Sequence, residues 1–191
     1  MNGLGLEHFR RGSSFAWPRV ADSARGPAAV STVSEWIGHQ LGQCKTLWDS
    51  GRGGPGVSVD PTGSGDVSQT HIRWTVTQAG EALCSPIIVG RHVYRLHKPG
   101  LLKCWELAGG KQVYAERLDG ISTTWASPIA DANGRIFFAN AGKSYVIQAG
   151  PEFRVLAVND LGDGNHPSPA VARGRLFLVG TKDLYCVGSR K

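Results

Sequence analysis

The side chains able to do chemistry are spread thinly along this sequence. His71, His92, His97 and His166 show neither His-x-His nor His-Glu-x-x-His spacing, so no metal ligation or base catalysis is predicted for them. Asp119, Asp131, Asp160 and Asp163 all fall in turn-like stretches, where aspartate is favoured because its carboxylate accepts nearby backbone N–H bonds. The stretch DLGDGN (160–165) begins like a calcium loop but lacks the closing Glu and the full spacing. Calcium needs about six to eight gathered oxygens. Cys44, Cys84, Cys104 and Cys186 have no Cys-x-x-Cys spacing, and the last three sit in apolar strand-like settings where cysteine serves as a small buried hydrophobe. Ser127 and Ser168 precede prolines and lie outside any Gly-x-Ser-x-Gly elbow, so neither is expected to be a nucleophile. No residue is therefore assigned a catalytic, cofactor-binding or metal-binding role.

Bulk properties narrow the class further. The formal charge is +6, but residues 1–70 balance with six basic and six acidic side chains. The excess is dispersed downstream as single Arg and Lys at turns and strand ends, unlike the cluster or stripe that tracks nucleic acid. Nucleic-acid binding is not expected. No run of about 18 apolar residues exists to span a bilayer as a helix. Arg10-Arg11 resembles the start of a twin-arginine signal, yet no apolar stretch of about 7–15 residues follows it, so no signal peptide is recognised.

The positioning elements come from a repeat. Ser-Pro occurs at 85–86, 127–128 and 168–169, at spacings of 42 and 41. Each copy continues through small or aliphatic residues and a Gly-Arg turn into an apolar burst: HVYRLH (92–97), RIFFAN (135–140), RLFLVG (175–180). A second turn leads to LLKCW (101–105), SYVIQ (144–148) or LYCVG (184–188). The first two copies add outer strands, KQVYAERL (111–118) and FRVLAVNDL (153–161), whereas the third runs out of chain. Four short strands per repeat of about 40–50 residues describe a propeller blade. Helical repeats of similar period are excluded, because Pro and Gly interrupt every window long enough for an amphipathic helix. Proline suits the first position of an inner strand, where no ladder N–H is needed.

The expected fold is therefore all-β: an incomplete β-propeller of about three four-stranded blades at 84–118, 126–161 and 167–188, the last lacking its outer strand. A partial blade at 56–77 precedes them, with GVSVD (56–60) and THIRWTV (70–76) as strands joined through PTGSGD. Residues 1–55 form an irregular, unassigned and partly disordered extension. It carries Trp17, Trp36 and Trp48, and a short helix is expected at STVSEWIGHQL (31–41), capped by Ser31 or Thr32.

The segment SPIIVGRHVYRLHKPGLLKCWELAGGKQVYAERL resembles a blade of the PQQ-binding-like β-propeller repeats, the family that includes BamB-like outer-membrane assembly factors. Lys103-Cys104-Trp105-Glu106, Gly110-Lys111 and Tyr114 stand where that family has its apolar-Cys-Leu-Asp phrase, Thr-Gly-Lys and docking tryptophan. In the second copy that tryptophan is absent, and Leu156 is the nearest candidate. The resemblance spans residues 56–191 and looks like the C-terminal end of a longer propeller. It implies a non-catalytic scaffold that binds protein partners or the remaining blades, and a periplasmic or cell-surface setting. Its enzymatic relatives imply the alternative, a dehydrogenase fragment holding pyrroloquinoline quinone with calcium, a catalytic Asp and a vicinal Cys-Cys disulfide. No Cys-Cys pair exists here, so neither cofactor is expected. Uncovered blade faces predict poor stability in isolation.

Overall fold

The computed structural model describes residues 5–10, 46–49 and 55–188, except 61, 67, 78–79, 123–124, 141 and 165–166. Every regular element in that range is a strand. No helix long and apolar enough to cross a membrane occurs among the described residues. β1 (Gly5–Arg10) stands apart in sequence. β2 (Thr46–Asp49), β3 (Gly56–Val59) and β4 (Ile72–Val76) make a three-stranded sheet, blade I. Blade II is the meander β5 (Ile87–Val89), β6 (His92–His97), β7 (Leu101–Glu106) and β8 (Gln112–Arg117). Blade III repeats it as β9 (Ile129–Ala130), β10 (Arg135–Asn140), β11 (Lys143–Gln148) and β12 (Arg154–Asp160). Blade IV contains β13 (Ala170–Ala172), β14 (Arg175–Val179) and β15 (Asp183–Gly188).

The strands and turns follow local chemistry. In blade IV the hairpin turn is Arg173-Gly174, with φ of 50° and 71° at the two positions. Positive φ at both central residues is the turn type whose twist matches paired strands. Blades II and III carry a register shift at the same repeat position, Cys104/Trp105 and Val146/Ile147. Such a bulge sharpens the twist of a sheet, so the repeat encodes curvature as well as pairing.

A single sheet cannot cover its own faces, and the core accordingly lies between blades. Tyr94, Leu96, Leu102 and Cys104 of blade II pack against Ile136, Phe138, Tyr145 and Ile147 of blade III. All eight are buried, and seven of them are at most 1% exposed. Burying one such side chain contributes roughly 1.5–3 kcal/mol, which makes this seam the main stabilising feature. A smaller cluster of Ala139, Leu178 and Tyr185 joins blade III to blade IV.

The architecture is the all-β incomplete propeller expected, with one difference in how the last blade is finished. The outer strand expected to be missing from the third copy comes from far upstream in the sequence: β1 pairs with β15 over six residues, Gly5↔Gly188 to Arg10↔Asp183. The partial blade also reaches upstream, since Thr46–Asp49 pairs antiparallel with Gly56–Val59. The helix expected at 31–41 lies outside the described residues, as do Trp17, Trp36 and Cys44.

Candidate functional site

The geometry brings together seam residues rather than catalytic ones. The Ser-Pro serines form a ladder around the inner strands. The Ser85 N–H donates to Ser127 Oγ at 2.9 Å, and the Ser127 N–H donates to Ser168 Oγ at 2.9 Å. Each hydroxyl thus accepts from the preceding blade an N–H that the inner-strand start leaves free. A bulkier residue would separate the blades, and one without an acceptor would strand that N–H.

Outer strands are tied by aromatic groups. The Trp74 indole N–H of blade I donates to the Leu107 carbonyl of blade II at 2.9 Å. Its ring lies against Gly110, where an added Cβ would sit 2.5 Å from the indole. Tyr114 does the corresponding work between blades II and III, its ring meeting Phe153 edge-on at 5.6 Å. Leu156 does not take this role; it is 40% exposed. Tyr145 and Tyr185, at equivalent repeat positions, both point to the connector before their own blade. Their hydroxyls donate to the carbonyls of Asp119 (2.6 Å) and Leu161 (3.4 Å). The Gly150 N–H donates to the Tyr94 hydroxyl at 2.8 Å.

The titratable candidates at 131, 160 and 163 are engaged in the framework, whereas the side chain of Asp119 is exposed at its turn. Asp131 accepts the backbone N–H groups of Asn133 (3.0 Å) and Arg135 (2.9 Å) and pairs with the Arg135 guanidinium. Asp160 accepts the Gly162 N–H at 2.9 Å. Asp163 is buried and accepts from the Thr181 hydroxyl and from the backbone N–H groups of Thr181, Lys182 and Asp183. The Thr181 hydroxyl bond above all, then these N–H groups, hold its carboxyl well below the usual range. Among the histidines, His71 is half-buried beside the Thr70 hydroxyl at 2.6 Å, and His92 is half-buried near the Tyr94 ring. His166 lies outside the described residues.

His97 is the exception to the satisfied pattern. Only 1% exposed, it meets Trp105 edge-on at 5.7 Å. The Gly80 backbone approaches the ring without making a hydrogen bond of normal geometry to either nitrogen. Burial, reinforced by the positive charges of Lys103 and Arg95, lowers its pKa from 6.5 to about 4. At neutral pH it is an uncharged packing group. Asn140 occupies the equivalent place in blade III, and its side-chain oxygen accepts the Ala126 N–H at 3.2 Å.

These residues do not fit a quinone–calcium centre. The carboxylates at 131 and 160 are taken up by their own turns and that of Asp163 by the turn between β14 and β15, and no grouping of three or more His, Cys, Asp or Glu among the described residues could hold a metal. Cys84, Cys104 and Cys186 are buried free thiols. Burial pushes the Cys84 and Cys104 thiols up to about 11, so neither is poised as a nucleophile.

Exposed apolar side chains are spread over the blades, Trp125 and Val158 of blade III being the most open, and blade IV adds apolar surface at one end of the stack. Repeat alignment sets Tyr94, Phe137 and Phe177 in one series, with Leu96/Ala139/Val179, Leu102/Ser144/Leu184 and Cys104/Val146/Cys186. In blade II all four positions are fully buried under blade III. In blade IV, Phe177 and Val179 are half-buried and Leu184 is 38% exposed. The inner strand β13 is exposed along its whole length, unlike β5 or β9.

No protein-family model matches the chain, and no curated protein does. Solved structures do. BamB from Moraxella catarrhalis aligns with a TM-score of 0.55 at 17% identity, over 68% of this chain and 38% of that one. The WD40 domain of Toxoplasma gondii coronin aligns at TM-score 0.48 and 15% identity, over 72% of this chain and 41% of that one. The Cps50 (Swd1) β-propeller domain of Myceliophteria thermophila aligns at 0.48 and 9% identity, over 92% and 60%. At such identity the likeness to BamB establishes fold alone. The chain has the architecture of a β-propeller, and it spans well under half the length of the BamB chain it matches.

Proposed function

We propose that this chain is a non-catalytic, PQQ-like propeller segment that works as a protein-binding scaffold. The observation that carries the reading is the outward face of blade IV. Phe177, Val179 and Leu184 occupy positions that blade II buries completely, and among the described residues they join neither core cluster. Apolar surface presented on a rigid sheet is the usual form of a docking site for another folded surface. The engagement of the Asp131, Asp160 and Asp163 carboxylates in turns, and the burial of the Cys84 and Cys104 thiols, support the same reading. The likeness to BamB, a propeller by fold, agrees with it. The test is an absorbance titration with pyrroloquinoline quinone in the presence of calcium. No saturable uptake is expected, and stoichiometric binding would establish the quinoprotein reading instead.

A further inference from the structure

We infer that the connector at residues 80–82, which carries the chain from blade I into blade II, is an acid-released latch: a proton on His97 frees it from the end of β6, while the matching connector before blade IV stays fastened. This reaches beyond the scaffold reading and stands whether or not that reading holds.

The connector is tied to one short stretch of chain at the end of β6. The Arg95 guanidinium donates to the Ala82 carbonyl at 3.2 Å, and the Cys84 thiol donates to the Leu96 carbonyl at 3.3 Å. The Lys98 N–H donates to the Glu81 carbonyl at 2.7 Å, and the Lys98 ammonium pairs with the Glu81 carboxylate at 2.6 Å. His97 falls among these anchors, and its ring packs on Gly80. A Cβ at that glycine would lie 2.8 Å from His97 Nδ1 and 3.3 Å from Lys103 Nζ.

Blade IV builds the same joint with the side chains exchanged. The Thr181 N–H donates to the Gly164 carbonyl at 2.9 Å, as that of Lys98 does to Glu81. Gly180 stands where blade II has His97, and Asp163 stands where blade II has Gly80. The Asp163 carboxylate fills the space that a side chain on Gly180 would need. One joint is thus filled by an imidazole and the other by a carboxylate. The carboxylate is held by the Thr181 hydroxyl and three backbone N–H groups, whereas neither nitrogen of the His97 ring has a hydrogen-bond partner.

The charges around the ring decide which joint yields. Arg95 on β6 and Lys103 on β7 act on it, and both are positive. Glu81 on the connector is turned to Lys98. From blade I, Trp74 and its cross-strand partner Ser58 lie on the side toward blade II and carry no charge. A third positive charge, 1% exposed and without acceptors for its N–H groups, is relieved only when water reaches it. Lifting Gly80 admits that water with little else disturbed. His97 and Arg95 alternate along β6 with Tyr94 and Leu96, so the apolar seam with blade III lies on the opposite face of the sheet. Asp163 stays charged throughout the range in which His97 titrates.

Native-state hydrogen exchange of the full chain, read at single amides between pH 7.5 and 5, tests this, with Lys98 reporting the first joint and Thr181 the second. The pKa of the ring is about 4 with the latch shut and 6.5 when free, so opening at pH 5 should be about 30-fold more frequent. The Lys98 amide is expected to exchange faster by that factor, once the intrinsic pH dependence of exchange is removed, and the Thr181 amide by less than about twofold. His97→Asn is expected to level the Lys98 response. A Lys98 amide indifferent to pH overturns the inference, and an equal rise at Thr181 overturns it as unfolding of the whole chain. Both results are read on wild type, so they stand even where the variant does not fold. A Lys98 amide that still accelerates in His97→Asn overturns the role of His97.

Discussion

Acidification should loosen this protein through His97 before it touches the carboxylates. The ring is neutral and buried, with a pKa of about 4 against 6.5 for an unperturbed histidine. Below pH 6.5 the unfolded chain takes up a proton that the folded chain refuses. The contribution is therefore complete above pH 6.5, declines as pH falls, and is gone by about pH 4, where both states are protonated. At about 1.4 kcal/mol per pH unit, the full loss is about 3 kcal/mol, of which about 2 kcal/mol is gone by pH 5. Asp60 and Asp163 are held below their ordinary 3.8, so their losses begin only where that of His97 ends. Urea unfolding at half-unit steps from pH 7.5 to 4.5 measures the slope. His97→Asn borrows the residue that blade III uses at the same place and removes the titration. Its stability is expected to stay nearly flat over the window in which wild type falls. Parallel slopes for the two proteins would refute the assignment of the effect to His97.

Four further outcomes follow from the seams. Trp74→Phe should cost about 1–2 kcal/mol in urea denaturation by removing the indole N–H from the Leu107 carbonyl. Gly110→Ala should cost about 2–4 kcal/mol, because it places a methyl 2.5 Å from that indole at a φ of +70°. Ser127→Ala removes the acceptor of the Ser85 N–H and should lower stability by about 1 kcal/mol, with amide exchange at Ser85 accelerated. In a Cys44→Ser background, Cys84 and Cys104 should resist a thiol reagent in the native protein and react at once in denaturant, since both are buried and their thiolates disfavoured.

The repeat was readable because a blade is a local object. Ser-Pro, Gly-Arg and the apolar bursts mark strands and turns within some 40 residues of chain, and Tyr114 could be recognised as a substitute for a docking tryptophan. What the serines do was not readable. Their hydroxyls act on backbone N–H groups of the preceding blade, a relation set by blade-to-blade distance. Trp74 looked like one member of an alternating strand, and only the approach of Gly110 from the next blade shows it to be a clamp. The closure of blade IV by β1 left no trace at all, since GLEHFR carries none of the repeat phrase and its partner lies at the far end of the sequence. His97 could be seen only as a lone histidine, because its pKa depends on Lys103, Arg95 and complete burial.

The pairing of β1 with β15 sets the order in which the protein can be completed. During synthesis, residues 5–10 leave the ribosome long before residues 183–188 exist, so the edge of β15 stays bare until the earliest part of the chain returns to it. Because Gly5 stands opposite Gly188 in an antiparallel pair, opposed pulling at these two residues peels the hydrogen bonds one after another instead of loading them together. The strand that finishes the last blade is thus also the joint that opens first under force.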